Sequence, residues 1–112
     1  MQRVLIAALL ILLSLSVSAS AASRWCGSYA RTHLVSRDPG TAYNLACNWQ
    51  HWGRATSPHE GAIVVWCSHG HHHVGKITGP CSGHICVVTS GNDGRAVRTR
   101  ARSVAGAVFR EG

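Results

Sequence analysis

An apolar run from Val4 to Leu15, preceded by Arg3 and followed by the small residues Ser16 to Ser23, occupies the N-terminus of this 112-residue chain. The run is shorter than the about 20 residues a membrane-spanning helix needs, and it suits the hydrophobic region of an export signal. Ala19-Ser20-Ala21 and Ser20-Ala21-Ala22 both fit a small-x-small cleavage site. The expectation is a signal peptide over residues 1–22, with an uncleaved membrane anchor as the alternative. A lipid-modified Cys26 is disfavoured because Trp25 precedes it, where such cysteines need a small residue. The fold is therefore confined to roughly 90 residues, 23–112, which is one domain near the small end of what folds alone. No later segment is apolar enough to span a bilayer. No stable membrane span is expected after cleavage, and the location expected is periplasmic or secreted.

Export sets the redox context, since cysteines outside the cytoplasm can be oxidised. There are five: Cys26, Cys47, Cys67, Cys81 and Cys86. An odd count leaves one outside any intramolecular pairing scheme. Cys81 and Cys86 bracket a short Ser-Gly-His-Ile connection and can clasp a hairpin, and Cys47 with Cys67 can then tie a helix to a strand. Four cysteines allow three connectivities, so these pairings stay open. The formal net charge is +7. Losing Arg3 with the signal leaves ten basic residues against four acids, Asp38, Glu60, Asp93 and Glu111. Such a balance favours anionic partners, cell-wall polymers or lipid head groups; export makes nucleic acid the least fitting.

Cys26 to Leu34 reads as a short helix with Cys26 at its start. Ser36 to Gly40 is a Pro-Gly-broken loop. Thr41 can cap a second helix, on which Ala42, Leu45, Ala46, Trp49 and Trp52 recur at helical spacing. Arg54 to Gly61 is a loop. From there the texture turns to strands: Ala62–Cys67, Val74–Thr78, Ile85–Thr89, Ala96–Arg100 and Ala107–Phe109, with short connections that suggest antiparallel neighbours. Helices followed by such a sheet give an α+β order. The four tryptophans are expected mostly in the core. Arg98, Arg100 and Arg102 share one strand face or its continuation, solvated or available to a phosphate or carboxylate.

A cysteine at a helix start is favoured as thiolate by the helix dipole and the unpaired amides there. His73 directly precedes an apolar strand, and a strand beside that helix start would bring an imidazole to the thiol. Asn92 lies one strand later and could orient the ring, although Asn-Asp-Gly is also a turn signal in its own right. His72 is the alternative to His73, because one residue along a strand reverses the facing side. The patch His69, His71, His72 and His73 has two further readings, a solvated loop or a transition-metal site, and consecutive histidines rarely set a metal geometry without other ligands. The expectation is no metal and no cofactor.

Trp25-Cys26-Gly27 opening a helix, Asn44-Leu45-Ala46 with Trp49 on the second, Gly61-Ala-Ile-Val-Val-Trp66, His73-Val74-Gly75-Lys76-Ile77-Thr78-Gly79 and Gly91-Asn92 after a strand come in an order that resembles the papain-like cell-wall hydrolases, the CHAP and NlpC-type superfamily. The resemblance covers about Trp25 to Arg110. It implies a papain-like α+β fold, two N-terminal helices packed on a small antiparallel sheet of about five strands. It also implies a triad of Cys26 as nucleophile, His73 as base and Asn92 as polar orienting residue. The activity implied is hydrolysis of amide bonds in peptidoglycan, as an amidase or stem-peptide endopeptidase, by a monomer that needs no metal or cofactor. Two readings of other classes stand beside it: a non-catalytic, disulfide-stapled envelope-binding module that keeps the fold, and a histidine-rich metal-binding protein.

Overall fold

The computed structural model describes residues 19–112; the apolar run Val4–Leu15 lies outside the described residues. The chain is α+β. A helix α1, Ala19–Tyr29, passes directly into a π-helical turn, Ala30–Leu34. Two 3-10 turns follow, Thr41–Asn44 and Ala46–His51, and then six strands: β1 Arg54–Ala55, β2 Ile63–Trp66, β3 His73–Ser82, β4 Ile85–Ser90, β5 Arg98–Ser103 and β6 Val108–Glu111. They form one antiparallel sheet in the order β1-β6-β2-β3-β4-β5. No helix among the described residues is long and apolar enough to cross a membrane.

Two expectations need correction. The first helix begins well before Cys26, which lies in its C-terminal half instead of at its start. The second helix is not one helix: Leu45 adopts an extended backbone (φ −80°, ψ 117°) between the two 3-10 turns. The reason is local competition for carbonyls. The Asn48 side-chain amide donates to the Ala42 carbonyl at 2.7 Å, and the Trp49 indole donates to the Tyr43 carbonyl at 2.7 Å. Those acceptors would otherwise serve backbone amides one turn on, so the α-ladder does not propagate. Leu45, assigned to the helical stripe by spacing, is 41% exposed, whereas Ala46 and Trp49 are buried.

The sheet has apolar cover on both faces. On the helix face, Cys26, Ala30, Leu34, Ala46 and Trp49 pack on Ile63, Val65 and Val74. Tyr43 and Trp52 flank Trp49 with ring centroids 5.1 and 5.3 Å away, which gives this small core its aromatic mass. On the other face, Ala62, Val64, Ile77, Cys86 and Val88 are covered by the segment carrying Val104 and Ala107. Disulfides join Cys47 to Cys67 and Cys81 to Cys86. The first ties the second 3-10 turn to the end of β2, and the second clasps the β3–β4 hairpin. Strand β3 runs through Gly79-Pro80 instead of stopping there, because the ladder shifts register between Ile77 and Cys81, and a bulge tolerates proline's missing donor. The β5 strand starts later than its alternation suggests, since a turn closed by Asp93 N–H on the Ala96 carbonyl, with Arg95 at φ 68°, occupies the preceding residues.

Candidate active site

Two close approaches seat α1. A Cβ on Gly27 would overlap the Asn44 carbonyl, and a Cβ on Gly91 would overlap the Cβ of Tyr29. Glycine at both positions lets the helix lie against the first 3-10 turn on one side and the end of β4 on the other. Cys26 is thereby held at the N-terminal end of β3 with no exposed surface.

The sulfur sits at the edge of that strand. Cys26 Sγ is 3.8 Å from the His72 carbonyl, and the Val74 amide also donates toward it. In a strand the carbonyl of one residue and the amide two residues on point to the same edge, so the thiol spans the backbone on either side of His73. Alternation sends the His73 side chain to the face opposite Val74. There its ring lies 5.5 Å from that of Trp66, its cross-strand partner, and Nε2 is 2.9 Å from Ser90 Oγ. Ser90 is buried at the end of β4, the strand that pairs with β3. Thiol and imidazole thus reach the same end of β3 from opposite faces of the sheet, the thiol from the helix face and the imidazole anchored by β4 on the other.

The electrostatics keep both groups neutral in this arrangement. Burial pushes the Cys26 thiol up, against the opposing pull of the amides of Val74, Gly27 and Cys26 itself. Burial, then the positive charge of Arg102, push His73 down to about 4; Asp93 acts in the opposite sense, and Arg100 adds to the depression. Asp93 is nearly buried and accepts two hydrogen bonds from Arg100, Nε at 2.6 Å and Nη2 at 2.9 Å, which hold its carboxyl below the usual range.

Asn92 stands at φ 53° in the turn after β4, and its amide donates to the Ala22 carbonyl of α1 at 3.3 Å. A cavity of about 310 Å³ opens there, lined by Ala22, Asn92, Gly94 and Arg95. The side chain hydrogen-bonded to His73 is therefore Ser90, and Asn92 links the turn to the start of the helix. Spacing pointed to the turn and passed over Ser90. The signal that finds it is strand parity: a polar residue at the end of β4 that shares a face with His73 on β3. Of the neighbouring histidines, His69, His71 and His72 are exposed, and His72 Nδ1 lies 3.5 Å from Cys47 Sγ. Among the described residues no three or more His, Cys, Asp or Glu side chains are gathered as metal ligands. Compared with known protein families, curated proteins and solved structures, the chain matches none of them.

Proposed function

We propose that this protein is an exported cysteine hydrolase of papain-like type that cleaves amide bonds in peptidoglycan, with Cys26 as nucleophile and His73 as base. The observation that carries the reading is that Cys26 and His73 reach the same end of β3, the thiol on the backbone flanking His73 and the imidazole held by Ser90 on the opposite sheet face. Five cysteines resolve into two bridges and one thiol, and that thiol is the cysteine on α1. The two bridges favour an oxidising compartment, and the net charge of +7 suits an anionic polymer.

His73 takes the thiol proton as sulfur attacks the amide carbonyl, through one water or a turn of its ring, because the imidazole stands on Ser90 on the sheet face away from Cys26. The imidazolium returns that proton to the leaving amine as the C–N bond breaks. Water then hydrolyses the thioester, again with the imidazole as base. Removal of residues 1–22 shortens α1 to its stretch from Ser23 and takes away the Ala22 carbonyl that Asn92 holds. Cys26 then falls within the first turn, where unpaired amides and the helix dipole favour the thiolate. Asn92 is released at the start of the shortened helix, where it can contact substrate.

The test is release of new amino groups from purified peptidoglycan by the oxidised chain beginning at Ser23. Cys26→Ala abolishes release, and His73→Ala lowers it by at least about 100-fold, as loss of a general base should. Ser90→Ala reduces it by about tenfold or more, and all three variants retain the cooperative unfolding transition of the parent. Sedimentation with cell walls that none of the variants alters, together with no release by the parent, would establish the binding-module reading instead.

A further inference from the structure

The register of β4 with β5 puts Arg98, Arg100 and Arg102 on the sheet face that carries Trp66, His73 and Ser90, away from α1. On that face a cavity of about 630 Å³ is lined by Trp66, Ser68, His71, Arg100, Arg102 and the segment around Gly106. Its floor is built rather than incidental. The Trp66 indole donates to the Ser103 carbonyl at 3.2 Å, which sets the ring plane. The Arg102 guanidinium lies over that ring at 4.3 Å from its centroid and is only 22% exposed. Its Nη1 is 3.6 Å from the Asp93 carboxylate, whose two oxygens are already bonded to Arg100.

We propose that this cavity binds a singly charged carboxylate, held by the Arg102 guanidinium against the Trp66 indole. Stacking uses the face of the guanidinium and leaves its N–H edge for a planar anion, the geometry in which arginine recognises carboxylates. The two arginines that line the cavity share one aspartate, so a single positive charge remains there. A monoanion neutralises it, whereas a dianionic phosphate leaves the site negative. His71 and Ser68 at the rim supply further polar contacts. The site lies on the face opposite the helix, and it stands whether or not Cys26 turns over a substrate.

The carboxylate can belong to a peptide C-terminus or to an acidic sugar, and NMR titration of the oxidised chain distinguishes them. The probes are acetyl-Ala-Ala, its C-terminal amide, N-acetylmuramic acid and inorganic phosphate, followed at the Trp66 indole N–H and the Arg102 Nε–H. At least one of the two acids should give saturable shifts at both signals, and the acid that does so identifies the source. The amide should bind at least about tenfold more weakly than acetyl-Ala-Ala if the peptide is the ligand, and phosphate more weakly than the binding acid in either case. Arg102→Lys, which keeps the charge but loses the fork and the stack, should weaken binding about tenfold with the amide spectrum otherwise dispersed as in the parent. His71→Ala should weaken it less, and it serves as the second variant if Arg102→Lys does not fold. Absence of saturation by either acid, equal binding of acid and amide by the peptide probe, tighter binding of phosphate, or affinity unchanged in Arg102→Lys would each overturn the assignment.

Discussion

At the scale of single residues, the partly buried imidazole of His73 ties stability to pH. Its folded-state pKa of about 4 lies below the ordinary value of 6.5, so the unfolded chain takes up a proton that the folded chain refuses. Above about pH 6.5 the ring is neutral in both states and the fold is unaffected. As the pH falls from 6.5 towards 4, the unfolded state is favoured progressively, by about 2–3 kcal/mol at the lower end. Burial is the leading cause and Arg102 the next, with Arg100 adding to them against Asp93; the Asp93 carboxyl, itself depressed by Arg100, titrates only below this window. Thermal unfolding followed from pH 7 to 4.5 should therefore show an acid-side fall that is clearly shallower in His73→Gln. An identical fall in parent and variant would remove His73 as its source. Ser90, the partner of that ring, was hidden in the sequence because a serine at a strand end carries no motif. The pairing that gives it meaning joins residues 17 apart across two strands. Cys26 was singled out by an expected helix start that the structure moves to Ala19, whereas the bridges Cys47–Cys67 and Cys81–Cys86 are the pairings the spacing had offered.

At the scale of elements, the strands were easier to read than the helices. Ile63 to Trp66 and Ile85 to Ser90 announce themselves by β-branched side chains between turn residues. The two-residue strand β1 has no sequence signature, because its partner β6 is some fifty-seven positions away, at Glu111 for Arg54. The segment Thr41–His51 has helical spacing, yet Asn48 and Trp49 take the carbonyls a helix would need. Spacing records which faces are apolar; it does not record which donor reaches a carbonyl first. The junction between this segment and α1 is held by Gly27 against the Asn44 carbonyl, where no Cβ fits. Gly27→Ala should lower stability by about 1–3 kcal/mol despite alanine's better helix propensity, because the overlap is with backbone that cannot rotate away. Denaturant unfolding checks it, and a stabilised variant would mean the helix sits further from Asn44 than described.

For the molecule as a whole, two faces of one sheet serve two purposes. The helix face supplies the aromatic core and brings the thiol to the edge of β3. The opposite face holds the imidazole, Asp93 and the arginines of β5, with comparatively thin cover from the segment around Val104. The start of strand His73–Ser82 lies between them, with the sulfur on the backbone of His72 and Val74 and the His73 ring on Ser90 across the sheet. We propose Cys26 as the nucleophile of an amide hydrolase. The most direct test is iodoacetamide treatment of the oxidised chain beginning at Ser23. Peptide mass spectrometry locates the label, and peptidoglycan hydrolysis is assayed on the same samples. One label is expected, on Cys26, with both disulfides intact and hydrolysis falling in step with labelling. Hydrolysis that persists after stoichiometric modification of Cys26, or a Cys26 found in a disulfide, would contradict it.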